Sequence, residues 1–127
     1  DGLRWHVRAY CEKNNGYRDF VLSRFKGESA VIAGEAKNGP QQDALWNEVL
    51  QLEIMPDSRL DQNRKRIIAM DYDMDEQLGE FTKVIPVRAA LLMYLMQRLR
   101  LDRYHEKAGI QQIIVSPQCQ QALKQYL

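Results

Sequence analysis

The residues best equipped for chemistry crowd around a single Asn14-Asn15-Gly16 segment near the start of the chain. His6, Arg8, Arg18 and Arg24 bring one titratable ring and three guanidiniums to it. Guanidinium forks match the oxygens of phosphates and carboxylates, and an imidazole close to its own pKa can join them as a donor. Tyr10 and Ser23 add hydroxyl groups as hydrogen-bond partners. Carried on a sheet, His6, Arg8, Tyr10, Arg18, Ser23 and Arg24 would line an anion or nucleotide pocket. The same residues also read as ordinary strand positions, with arginine stems covering apolar neighbours. A buried arginine is costly unless it meets an anion. Asp19 and Glu12 are the nearby protein candidates for that role, and a ligand phosphate is the functional one.

No other grouping carries a catalytic signature. The chain has no Gly-rich phosphate loop, HExxH or GxSxG. Asp71, Asp73 and Asp75 alternate like the opening of a calcium loop. Glu76 stands where such a loop needs glycine, however, and Thr82 where it needs its closing glutamate. His105 fits a solvated turn, and Arg64-Lys65-Arg66 a solvated helix face. Cys11 and Cys119 share no metal-ligand spacing and read as two reduced thiols. The expectation is therefore a non-enzymatic protein with no catalytic residues, metal or cofactor.

The elements that would position these side chains follow from hydrophobic periodicity. Trp5, Val7, Ala9 and Cys11 alternate with His6, Arg8 and Tyr10, the period of a strand. Asn-Gly then signals a hairpin turn, and Tyr17 to Phe25 reads as the return strand. With Asn15 and Gly16 as the turn residues, Tyr10 faces Val21 and Arg8 faces Ser23. One face then carries His6, Arg8, Tyr10, Asp19, Val21 and Ser23. The other carries Trp5, Val7, Ala9, Phe20 and Leu22, with Arg18 and Arg24 towards its ends. A short strand or helical turn is expected within 29–36, and Asn38-Gly39-Pro40 marks a linker. Beyond it, strands are expected near 49–55, 81–87 and 110–115, and helices near 59–73, 88–101 and 117–126. Ser116-Pro117 suits an N-cap and first helical residue.

The chain's 127 residues suit one domain or two small ones. It is 45% hydrophobic and 28% charged, which excludes a disordered tail. Its net charge of +1 gives no bulk attraction to nucleic acid. No apolar run is long enough for a membrane span and no signal peptide is visible, so a cytoplasmic location is expected. The chain opens at Asp1 almost directly into a strand, and is expected to be a fragment. A two-stranded hairpin is marginal alone. Its apolar face (Trp5, Val7, Phe20, Leu22) therefore leads to the expectation of at least a homodimer.

Two segments then resemble a known family: Arg4-Trp5-His6-Val7-Arg8-Ala9-Tyr10-Cys11, and the Arg18, Phe20, Leu22, Arg24 pattern. They are similar to the end of the WYL domain, with Trp5-His6-Val7 in place of the Trp-Tyr-Leu triplet. Trp46 to Leu60, Gln62 to Met74 and Val87 to Asp102 resemble the extension that follows that domain. The form is closest to repressors found beside bacterial anti-phage defence systems. The resemblance implies a transcriptional regulator with a winged helix-turn-helix, absent from this chain, that binds DNA. It implies a central Sm-like WYL barrel that senses a nucleotide or nucleic-acid fragment, and a dimerising α+β extension. On this reading residues 1–37 are the C-terminal part of the barrel, 38–47 a linker, and 48–127 a small α/β-sandwich. His6 departs from the usual tyrosine, which bears on ligand choice. The alternative is an Sm-like module that binds RNA or single strands through the hairpin.

Overall fold

A computed structural model describes residues 4–27 and 33–127. Strands β1 (His6–Cys11) and β2 (Gly16–Val21) form an antiparallel hairpin. Its turn is longer than expected. Cys11 pairs with Gly16, leaving Glu12 to Asn15 as a four-residue loop with Asn15 left-handed at φ 51°. Asparagine tolerates that conformation better than most side chains. Register therefore sets Arg8 opposite Asp19 and Tyr10 opposite Tyr17, rather than Ser23 and Val21. The shift is even, so each side chain stays on its expected face. The return strand also stops at Val21, and Leu22–Arg24 turn into a 3-10 helix. Of the element expected within 29–36, residues 29–32 lie outside those described, and residues 33–36 form neither strand nor helix. The stretch 38–47 has structure of its own: a 3-10 turn at Pro40–Gln42 and a short helix, α1 (Ala44–Asn47), capped by Asp43.

The rest is a sheet covered on one face. Strand β3 (Val49–Pro56) is central, flanked by β5 (Glu80–Arg88) and β6 (Ile113–Val115), with β4 (Asp75–Gln77) on the outer edge of β5. Every neighbouring pair is antiparallel. Helix α2 (Gln62–Asp71) links β3 to β4. Helix α3 (Leu92–Arg98) and the short α4 (Ala108–Gln111) link β5 to β6, and α5 (Pro117–Ala122) follows. The order β4-β5-β3-β6 is the split β-α-β arrangement of ferredoxin-like folds. The chain is thus α+β, as its alternating periods imply. Among the described residues β1 and β2 pair only with each other, so they close no barrel.

Alternation in β3 explains the layering. Leu50, Leu52 and Ile54 point into the core, while Val49 and Gln51 are exposed on the opposite face. Leu60, Ile68, Leu92, Met96, Ile113, Val115, Cys119 and Leu123 complete the core. Leu52 and Ile54 are fully buried, a contribution of about 1.5–3 kcal/mol each. Caps fix the helix starts: Asp61 accepts from the Arg64 amide at 2.8 Å, and Ser116 from the Cys119 amide at 3.3 Å. Three elements differ from expectation. The segment 88–101 begins as a 3-10 turn before becoming α3. Residues 110–111, expected to begin a strand, belong instead to the helical turn Ala108–Gln111, and the strand starts only at Ile113. Finally, β4 was not anticipated at all; it turns into β5 through Leu78 (φ 52°) and Gly79 (φ 80°).

Candidate functional site

The more polar face of the hairpin lies against the second unit. Arg8 is half-buried there, and its guanidinium donates to both oxygens of Asp43, from Nε at 2.5 Å and from Nη2 at 3.0 Å. Its Nη1 reaches Asp19 across the hairpin at 3.4 Å. Asp43 is only 3% exposed and also accepts from the Trp46 amide at 3.2 Å, so one carboxylate both holds Arg8 and starts α1. Asp19 in turn accepts from the Tyr94 hydroxyl of α3 at 2.7 Å. The Tyr17 hydroxyl donates to the Gly39 carbonyl at 2.8 Å. The hairpin is therefore fastened by a bidentate ion pair and two phenol hydrogen bonds, which are polar links rather than a shared apolar core.

The titration behaviour follows this wiring. The Arg8 fork, by hydrogen bonding above all, holds the Asp43 carboxyl below the usual aspartate range. The same bond raises Arg8. Tyr94 is pushed up because its proton is held by Asp19. Burial raises Tyr17, with Asp43 adding to it.

Two cavities open beside the junction. One, of about 480 Å³, is bounded by Arg8, Tyr10, Tyr17, Asn38, Pro40 and Trp46. The Tyr10 and Tyr17 rings meet edge-on there, with centroids 5.2 Å apart. The other, of about 450 Å³, lies between His6, Asp19, Tyr94 and Arg98 over an apolar floor of β5 and α3. The His6 ring is 5.6 Å from that of Tyr94, and its Nδ1 is 3.0 Å from the Arg4 carbonyl.

Of the six residues singled out from sequence, His6, Arg8 and Tyr10 share this inner face. Arg18 stands opposite Ala9 on the outward face and is exposed. Ser23 and Arg24 lie in the exposed 3-10 turn beyond β2. Asp19, expected as an arginine partner, pairs with Arg8, whereas Glu12 is in the hairpin loop. Asp43, Trp46 and Tyr94 were not anticipated. Asp43-Ala44-Leu45-Trp46 has the look of an N-cap followed by a helical turn, a signal that could have drawn attention to Asp43. Among the described residues no cluster of side chains could hold a metal ion, and no helix is long and apolar enough to cross a membrane.

A second polar clamp lies at the far end of the unit. Asp57, 1% exposed, accepts from Nε and Nη2 of Arg59 at 3.0 and 2.8 Å. Arg59 also donates to the carbonyls of His105 and Glu106 and to the Tyr104 hydroxyl. This arginine ties down the 102–107 loop, and its position within a mesh of main-chain carbonyls marks it as structural.

Residues 49–123, which make up the β3–α5 unit, match the family described as the BrxR transcriptional regulator, C-terminal dimerization domain. The chain belongs to this BrxR family. Its relatives include proteins named DNA-binding transcriptional repressor CapW. That of Pseudomonas aeruginosa is 35% identical over 102 residues, covering 80% of this chain and 32% of the relative. Those of Escherichia coli and Stenotrophomonas maltophilia are 37% and 30% identical over the same shares. The chain thus spans about a third of the length of the curated relatives it matches. A likeness of that extent must begin by Lys26, and so reaches beyond the BrxR unit to include Asp43 and Trp46.

Proposed function

We propose that this chain is the dimerisation and ligand-sensing region of a bacterial DNA-binding transcriptional repressor, acting in the cytoplasm with a regulatory rather than catalytic role. The observation that carries the reading is the match of the whole β3–α5 unit to the BrxR dimerization domain, together with CapW repressors as relatives. The hairpin reads as part of an Sm-like WYL barrel that the repressor completes. Operator DNA is then contacted by another part of that protein. Two exposed apolar surfaces are available to a second copy: Trp5, Val7 and Leu22 on the hairpin, and Val49 with Val84 on the helix-bare side of the sheet.

The six hairpin residues divide into two groups in this reading. Arg8 already faces two carboxylates, so an incoming anion at the inner face meets net negative charge. Arg18 and Arg24 are exposed and form no ion pair with a carboxylate among the described residues. We therefore place phosphate or carboxylate recognition on Arg18, Ser23 and Arg24, with His6, Arg8 and Tyr10 relaying the hairpin's position to the dimerising unit. In the repressor, Arg18→Ala and Arg24→Ala should retain operator binding and lose the response to inducer. Normal induction in both variants would overturn the assignment.

A further inference from the structure

We propose that the cavity between the hairpin and α1 binds an uncharged, flat heteroaromatic ring. This inner site is separate from the outward arginine group and does not depend on it. Its volume, about 480 Å³, is in the range of small-molecule sites. Its walls are aromatic: Tyr10 and Tyr17 from the hairpin and Trp46 from α1. One face of Trp46 is taken by the Arg88 guanidinium, 4.7 Å from the ring, which fixes the indole in place.

Charge selects a neutral occupant. The charged residues that line this cavity are Arg8 and Asp43, which pair with each other at 2.5 Å. An added anion would meet the Asp43 carboxylate, and an added cation would meet Arg8. A neutral ring escapes both while gaining stacking on the aromatic walls. Two half-buried polar side chains also line the cavity. Neither the Tyr10 hydroxyl nor the Asn38 side-chain amide has a hydrogen-bond partner among the described residues. An aromatic pocket with a few convergent polar groups is the usual form of a site that reads the edge of a ring. Tyr10 and Asn38 would read that edge.

The probes are the four ribonucleosides and their monophosphates, each at about 1 mM, titrated into the intact chain by NMR and calorimetry. At least one nucleoside should shift the Trp46 indole and Tyr10 signals, and its monophosphate should bind no more tightly. Tyr10→Ala should weaken that nucleoside roughly tenfold, whereas Arg18→Ala should leave it unchanged. Asn38→Ala, a milder change at the cavity rim, should also weaken it and guards against misfolding of the tyrosine variant. Absence of any nucleoside binding would overturn the proposal, as would binding undiminished in both cavity variants. Binding of monophosphates alone, lost in Arg18→Ala, would overturn it while leaving the anion assignment standing.

Discussion

Replacing Asp43 tests how the hairpin is held. The side chain does two jobs, pairing with Arg8 and capping α1. Removing one partner of a buried ion pair typically costs about 3–5 kcal/mol, because the other charge is left without compensation. Asp19 still lies 3.4 Å from Arg8, which points to the lower end of that range. Loss of the cap adds about 1 kcal/mol. Asp43→Ala should therefore destabilise by about 4 kcal/mol in total. Asp43→Asn keeps a cap and should cost about 3 kcal/mol. Urea unfolding followed by circular dichroism at fixed chain concentration measures both. Adding Arg8→Met to Asp43→Ala removes the stranded cation, so the double variant should be at least about 1 kcal/mol more stable than the two losses summed. Losses below about 0.5 kcal/mol, or additivity within that margin, would show that the Arg8–Asp43 pair does not fasten the hairpin.

Acid should loosen the same joint. Asp43 and Asp57 both ionise more readily in the folded chain than in an unfolded one. Their contribution is complete above the unfolded aspartate pKa of about 3.9 and fades as pH falls through the lower folded values. Stability measured by urea titration should therefore drop below about pH 4, and Asp43→Asn should show a shallower drop. Leu52→Ala, at a fully buried central-strand position, should cost about 2–5 kcal/mol in the same assay. Arg59→Ala should raise amide exchange across 102–107, where Arg59 holds two carbonyls, while exchange in β3 should change little; uniform loss of protection would contradict a local clamp.

The α+β class was readable because each long element carries its own period. Leu50, Leu52 and Ile54 alternate, and Ser116-Pro117 announces α5. What failed was local and short. Ile110 to Val115 reads as one β-rich run, yet packing makes Gly109 to Gln111 helical and Gln112 takes φ 62° before the strand begins. Asp75-Glu76-Gln77 has no apolar alternation at all, and forms a strand only because β5 lies alongside it. In the hairpin the two faces were legible but the register was not. Asn-Gly fixes where the chain turns without fixing how many residues the loop holds. At the site, Arg8 was visible as a cation needing an anion, and Asp19 as a neighbour able to provide one. Asp43 lies 35 residues away, and only tertiary contact brings it to Arg8.

If this chain is a dimerising unit, its mass in solution reports it. Multi-angle light scattering on the chain across a concentration series should give twice the 14.9 kDa of one copy. The apparent mass should fall towards one copy only on dilution. A mass of one copy at the highest concentration would rule out dimerisation by this chain.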